Sequence, residues 1–381
     1  MTSYFGNNGF KFGVFGLNCG GGVTPSRAPE RWRAEWDEVE RATLMAEAAG
    51  VEFVLPIAKW HGLGGQADLW GRSFETFTQS AALGAITKKI GVFVTAHVSL
   101  LTPAFVAKAI STIDHVTHGR VGLNIVCGWN PDEFSLHGIS LEPARRYERG
   151  LEWYRIYDRL LKGGAKFDWK GEFYEMRGLC TDPLPVQKRP PIMSAAQSGD
   201  GQAFAAEVAD MLFSSMPGYA QIEDTCKRVK ALGAQHGRTP EVYVTTQFVC
   251  RRTKREAEEY AHYYAVEMAD TDTVEYLKRQ KSTTVSPTTK LGTTAADRAT
   301  AAMLAGGRHH DYPGMLPSNF PIIGSPDDIV AEIQKLASLG VSGSTLIFLN
   351  YLDEMPFFFE EVFPRLERVG LRAPNASHAV V

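Results

Sequence analysis

The feature that most constrains this chain is an alternation. Short runs of almost wholly apolar residues recur along it, separated by longer amphipathic stretches, which is the pattern of repeated strand–helix units around a parallel sheet. Eight such runs stand out: Phe12–Leu17, Glu52–Pro56, Ile90–Ala96, Val121–Val126, Pro191–Ser194, Met211–Ser214, Val242–Val249 and Thr345–Leu349. Most are apolar on both faces, as strands must be when they lie between a packed interior and a ring of helices. Eight of them fit an α/β fold of the (β/α)8 TIM-barrel type better than a doubly wound sheet. Barrels of this kind commonly exceed about 250 residues as one unit, so residues 1–381 read as one domain.

The helices have readable ends. After Arg31, the residues Trp32, Trp36 and Val39 share one face, and Gly50 offers a left-handed stop. Ser325 reads as an N-cap followed by Pro326, Asp327 and Asp328, with Ile329, Ile333 and Leu336 as the buried stripe and Gly340 as the end. Three stretches exceed the minimal unit. Cys127–Arg145 is a long loop after the fourth strand, and Ala165–Met176 reads as a small hairpin. Asp270–Pro321, after the seventh strand, is rich in Thr, Gly and Pro and reads as a mobile lid. Residues 372–381 read as a frayed tail.

Bulk properties remove several function classes. A formal charge of −3 gives no electrostatic reason for a nucleic-acid or anionic-membrane partner. The N-terminus has neither a basic nor an apolar signal region, and no apolar run approaches the roughly 18 residues of a membrane span. The five cysteines are scattered without a C-x-x-C pair, which fits reduced thiols in a cytoplasmic protein and not a disulfide framework or zinc knuckle.

In a parallel barrel, chemistry sits at the C-terminal ends of the strands. Those ends carry Asn18, Lys59, His61, Thr95, His97, Asn124, Trp129, Glu133, Gln197 and Ser198, a set suited to contacting a heterocycle. Arg145 and Arg146 beside Tyr147 offer charged and phenolic donors, and Gln197-Ser198-Gly199 opens a helix whose free N–H groups attract anions. Alone, the first is commonly a solvated face and the second a simple cap; on neighbouring strands together they point to a phosphate. Gly20-Gly21-Gly22 has the wrong spacing for a dinucleotide loop, and there is no G-x-S-x-G or H-E-x-x-H. His309-His310-Asp311 lies inside the long insertion and gives no reason to expect a metal; His115 and His118 read as structural residues at a helix end.

The stretch Thr112-Ile113-Asp114-His115-Val116-Thr117-His118-Gly119-Arg120, leading into Val121-Gly122-Leu123-Asn124-Ile125-Val126-Cys127-Gly128-Trp129, resembles the signature of the bacterial-luciferase-like flavin monooxygenases. The similarity runs from Lys11 to about Arg368. Within that superfamily it is greatest to the branch of pyrimidine ring-opening oxygenases and dimethylsulfone monooxygenases, through the Asn124–Trp129 strand end, Lys170–Tyr174 and Gln197-Ser198-Gly199.

That resemblance implies a two-component monooxygenase. Reduced FMN would come from a separate NAD(P)H:flavin reductase, and O2 would be co-substrate through a flavin peroxide. It implies that Ala58 and Lys59 line the isoalloxazine, that Asn124 meets its reactive edge, and that Glu133 fixes the ring or ribityl chain. Arg146, Tyr147 and Ser198 would hold the phosphate and ribityl groups. Thr95 and Asn124 would bound the pocket where oxygen reacts. His97, two residues beyond Thr95, shares its inward face and is expected either to orient substrate or exchange protons, or to be a core histidine. Homo-oligomers, dimers or tetramers, are implied as well. The sequence departs from the branch at Asn18-Cys19-Gly20-Gly21, His61 and His97, so an amide or nitrogen heterocycle, a sulfone and a halogenated aromatic all stay open as substrate. A deazaflavin-dependent oxidoreductase, a non-catalytic flavin-binding protein and a barrel hydrolase are the competing readings.

Overall fold

Three glycines and three rings set how the interior is filled. Gly13, Gly122 and Gly343 lie against the rings of Phe53, Phe93 and Tyr243, and a β-carbon at any of these glycines would run into the ring it faces. The Phe53 ring packs edge-on against Phe93 and Tyr243, at centroid distances of 5.3 and 5.8 Å. Large and small side chains thus interdigitate across strands, as close packing requires. Phe53, Leu55, Phe93, Met193, Met211, Phe213 and Tyr243 form one closed apolar cluster, with Phe15 against it.

The computed structural model describes residues 6, 8–128, 130–139, 145–216, 218–284, 311–316 and 319–374. In chain order they form β1 (Lys11–Phe15), α1 (Trp36–Ala48), β2 (Phe53–Leu55), α2 (Thr76–Ile86), β3 (Gly91–His97), α3 (Pro103–Val116), β4 (Val121–Val126), α4 (Pro131–Ser135) and α5 (Arg146–Leu161). An antiparallel hairpin of β5 (Phe167–Lys170) and β6 (Glu175–Leu179) follows. Next come β7 (Ile192–Ala195), α6 (Gly199–Val208), β8 (Met211–Ser214), α7 (Tyr219–Gln235), β9 (Glu241–Cys250) and α8 (Lys254–His262), which runs into a π-helical turn. The chain continues with α9 (Thr271–Thr284), β10 (Phe320–Gly324), α10 (Pro326–Ser338), β11 (Gly343–Ile347), α11 (Tyr351–Glu361) and α12 (Phe363–Arg368).

Eight parallel strands close a barrel in the order β1-β2-β3-β4-β7-β8-β9-β11 and back to β1. All eight coincide with the expected runs. The ninth strand of the sheet, β10, was not expected. It pairs with Thr246–Cys250 of β9, on the edge that β8 occupies only as far as Val244. Pro321 hides it in the sequence, because proline removes a ladder donor and argues against a strand except at an edge.

Helix ends follow the expected chemistry with one change. Trp32 precedes α1, which starts only at Trp36; the Trp32 ring is buried instead by donating from Nε1 to the Leu17 carbonyl at 2.9 Å. Gly50 has φ +79 and Gly340 φ +95, the left-handed stops foreseen. Ser325 and Asp328 form a reciprocal capping box at the start of α10, whose Ile329, Ile333 and Leu336 are buried.

The readings of one insertion and of the tail need correction. The segment from Asp270 is not a plain loop: it opens with α9. Asp270 accepts the Ala67 N–H at 2.6 Å, Thr273 donates to the Gly64 carbonyl at 2.9 Å, and Leu277 packs with Cys19, Leu63 and Trp70. Residues 285–310, including His309 and His310, lie outside the described residues. The tail reading fails at its first residue, since Arg372 is buried and paired with Glu52 at 3.3 Å. No helix among the described residues is long and apolar enough to cross a membrane.

Candidate active site

The C-terminal ends of β2, β3, β4 and β7, neighbours in the barrel, bring most of the expected residues together. After β2 the chain is latched by Asn18, which accepts the Ile57 N–H at 2.8 Å and donates to the carbonyls of Ile57 and Phe74 at 2.7 and 3.0 Å. This latch sets the direction of Ala58 and Lys59. Lys59 Nζ meets Glu133 Oε2 at 3.0 Å, both side chains almost fully buried, and Glu133 Oε1 accepts the Trp60 N–H at 3.0 Å. Burial lowers the Lys59 pKa, while the charge and hydrogen bond of Glu133 oppose the shift. Glu133 therefore acts first on Lys59, through α4, which Asn130 caps by accepting the Asp132 N–H at 3.1 Å.

Sequence reading missed two neighbours of that cation. The Trp70 ring lies 5.0 Å from Lys59 Nζ, and Trp70 Nε1 donates to the Gly22 carbonyl at 2.7 Å. Trp70 adopts φ +68, a conformation that costs a bulky residue on the order of 1–2 kcal/mol and marks a constrained position. Cys19 is buried beside the same pair, and burial pushes its thiol well above the usual range, so it stays protonated. Nothing local in the sequence signals either placement.

On β3 and β4, Thr95 stands directly across from Asn124. Thr95 Oγ1 donates to the Pro56 carbonyl at 2.6 Å and accepts from Asn124 Nδ2 at 3.2 Å, while Thr76 Oγ1 donates to the Thr95 carbonyl at 2.8 Å. His97 is buried, with its ring 5.5 Å from that of Phe134. Burial drives its pKa down to about 4 against the pull of Glu133, and the ring is neutral at ordinary pH.

A third group forms where α5 and α6 begin. Arg146 Nη1 donates to the Gly128 carbonyl at 3.1 Å, and its guanidinium lies 4.9 Å from the Tyr147 ring centroid. The Tyr147 hydroxyl is 3.3 Å from Ser198 Oγ, which caps α6 by accepting the Gly201 N–H at 3.2 Å. Gly201 makes this approach possible, because a β-carbon there would sit 2.5 Å from the Tyr147 hydroxyl. Arg145 does not join the group: it turns outward to Glu148 and Glu172, at 2.7 and 2.6 Å.

Of the other sequence candidates, His61 bonds through Nδ1 to the Gly62 carbonyl at 2.6 Å. Trp60 is 43% exposed at the rim and touches His137, whereas Phe134 is fully buried. Trp129 lies outside the described residues. Three of the buried polar atoms that lack a protein partner belong to the expected site: His97 Nδ1, Asn124 Oδ1 and Arg146 Nε.

A parallel eight-stranded barrel with Lys59, Glu133, Asn124, Arg146 and Tyr147 at one mouth has the architecture of an α/β-barrel enzyme. The profile of the luciferase-like monooxygenase family matches residues 10–343, and the chain belongs to that family of flavin-dependent monooxygenases. It is 30% identical over 368 residues to the pyrimidine monooxygenase RutA of Acinetobacter baylyi, covering 93% of this chain and 94% of that protein. Among solved structures, EDTA monooxygenase (EmoA) from Chelativorans sp. BNC1 superposes with a TM-score of 0.81 at 18% identity, over 95% of this chain and 94% of that one. The coenzyme F420-dependent tetrahydromethanopterin reductase of Methanopyrus kandleri shares the fold at TM-score 0.64 and 17% identity, covering 93% and 99%.

Proposed function

We propose that this chain is the oxygenating component of a two-component system, using reduced FMN and O2 to oxygenate a small organic molecule. The observation that carries the reading is the trio of buried, unpartnered polar atoms on His97, Asn124 and Arg146. Buried polar atoms in folded proteins nearly always have partners, and leaving one open costs about 1–3 kcal/mol. Their shared place at the barrel mouth fits a ligand that supplies the partners.

Reduced FMN, when bound, supplies the electrons that activate O2 and lets one oxygen atom pass to the substrate. The chain's own residues would do the rest. Arg146, Tyr147 and Ser198, with the open N-terminus of α6, would hold the phosphate and ribityl groups. Ala58 and Lys59 would line the ring, with Glu133 and Trp70 holding the Lys59 ammonium in place. Thr95 and Asn124 would stabilise negative charge developing on oxygen. The neutral His97, beside Phe134, would orient the substrate. The insertion that α9 opens would act as a lid excluding water.

The likeness to enzymes named pyrimidine monooxygenases favours an amide or nitrogen heterocycle as substrate over a sulfone or a halogenated aromatic. The same reading includes a separate NAD(P)H:flavin reductase, a homo-oligomeric state and a cytoplasmic location. Anaerobic titration with reduced FMN, then rapid mixing with labelled dioxygen and candidate heterocycles, tests it. Label in the product supports the reading. Turnover only with a reduced deazaflavin and without oxygen uptake would replace it with an oxidoreductase, and absence of any flavin binding would overturn it.

A further inference from the structure

We propose that α9 is a positioning element for Lys59, clamping from one helix the two segments that hold the buried ammonium. Those segments leave the barrel at different strands. Trp70, whose ring lies 5.0 Å from Lys59 Nζ, sits on the loop after β2. Glu133, the ion-pair partner at 3.0 Å, sits on α4 after β4. The inference adds to the flavin reading above, but its geometry involves no ligand.

On the first side the fit is close. Gly64 and Gly65 have φ +74 and +73, and Asp68 and Trp70 have φ +43 and +68, so the loop coils through conformations that need tertiary support. The start of α9 supplies it. Asp270 accepts the Ala67 N–H at 2.6 Å, and the buried Thr273 donates to the Gly64 carbonyl at 2.9 Å. A β-carbon on Gly65 would stand 2.5 Å from Asp270 Oδ2 and 2.7 Å from Thr273 Oγ1, so glycine is what lets the turn approach the helix. Leu277 packs in the same cluster as Leu63, Leu69 and Trp70.

On the second side, the Tyr276 hydroxyl donates to Asp132 Oδ2 at 3.0 Å. Asp132 precedes Glu133 in the first turn of α4, so the contact fixes the end of the helix that carries the carboxylate. Thr273, Tyr276 and Leu277 are spaced to share one face of α9, and that face straddles both segments. The helix start is itself anchored. The Asp270 N–H donates to the Pro25 carbonyl at 3.0 Å, and Arg27 donates from its N–H and Nε to the carbonyls of Met268 and Ala269 at 2.6 and 3.2 Å. A buried ammonium is tolerated only while it stays paired, and neither of its neighbours can leave without breaking a contact to α9.

Amine acetylation of the full chain, followed lysine by lysine by mass spectrometry, tests this without a ligand. Lys11 is the control, because it is also buried and ion-paired, to Glu241 at 2.6 Å, but at the opposite end of the barrel. Thr273→Val leaves a buried carbonyl without its donor and should speed the reaction of Lys59 about tenfold, with Lys11 unchanged. Gly65→Ala should act in the same way, and Thr273→Ser should keep the wild-type rate. Tyr276→Phe breaks an exposed bond and should speed Lys59 about twofold to threefold; it keeps the test open should the other variants not fold. An unaltered Lys59 rate in every folded variant, or equal acceleration of Lys59 and Lys11, would overturn the clamp. Reduced FMN should bind less tightly wherever Lys59 reacts faster. Faster reaction with unchanged affinity would leave the clamp standing and remove Lys59 from the flavin contacts of the reading above.

Discussion

Two arginines, the buried Arg120 at the floor of the barrel and the half-buried Arg146 at its mouth, are used in different ways. At the floor, where β3 and β4 begin, Arg120 is buried and its guanidinium is consumed by the protein. It donates to the carbonyls of Ile90, Gly84 and Thr87 at 2.6, 2.8 and 3.0 Å and to Thr87 Oγ1 at 3.0 Å. Nearby, Asp114 accepts both the main-chain and the side-chain N–H of Gln187 at 2.7 Å, although Gln187 Oε1 is itself buried without a partner. At the mouth, His97, Asn124 and Arg146 each keep a buried atom open. The contrast separates Arg120, whose donors are used up within the fold, from Arg146, whose buried Nε is not. Asp114 and Arg120, the most recognisable letters of the family signature, are both bonded within the fold.

Breaking the floor should have the largest effect. Arg120→Met strips four carbonyl and hydroxyl oxygens of their donor, and about 4 kcal/mol of stability should be lost in urea denaturation, at any pH between 5 and 8. Reduced FMN should bind the surviving folded fraction normally; a selective loss of binding would blur the division between the two arginines.

The next effect is pH-dependent. His97 is held neutral in the fold by burial, with Lys59 and His137 acting in the same direction and Glu133 and the Ala58 carbonyl against it. The unfolded chain takes up this proton near pH 6.5 and the folded chain only near 4. The depressed value therefore contributes stability that is complete above pH 6.5 and is lost as pH falls toward 4, on the order of 3 kcal/mol in all. His97→Phe should flatten that slope, measured by denaturation midpoints between pH 4 and 7. An unchanged slope would mean that the ring is charged in the fold.

Smaller effects separate binding from stability. Arg146→Ala should weaken reduced FMN about tenfold or more while leaving the melting temperature within a degree or two, on the order of a surface substitution. Equal affinity in the variant would remove Arg146 from the phosphate group. Asn124→Leu trades one hydrogen bond for relief of an unpaired acceptor, so it should raise stability by about 1 kcal/mol. Destabilisation by that substitution would show that Oδ1 is satisfied within the fold.

Much of this was legible beforehand. The eight barrel strands appear as apolar runs because a strand buried on both faces cannot hide its composition. Ser325 and Gly50 mark helix ends because capping is local chemistry. Lys59, Thr95, Asn124, Glu133, Arg146, Tyr147 and Ser198 stand out as polar residues and Ala58 through the family resemblance; Thr95 and Asn124 lie on β3 and β4, and the rest on the segments that follow β2, β4 and β7. Trp70 and Cys19 carry no such signal, because their partner Lys59 lies 11 residues before the one and 40 after the other in sequence, a spacing no period connects. Arg145 and Arg146 were indistinguishable as letters; helix phase sends one to solvent and the other to Gly128.

By itself, the sequence determined the eight barrel strands, the helix ends at Gly50, Ser325 and Gly340, and the family, since each rests on local periodicity, capping or a contiguous motif. Only the tertiary structure decided that Glu133 neutralises Lys59, that the Asn124 amide points its oxygen away from Thr95, and that β10 extends the edge of β9. Those are relations between residues 29 to 74 positions apart or more. Closure of the barrel sets their distances and directions, and no local preference encodes them.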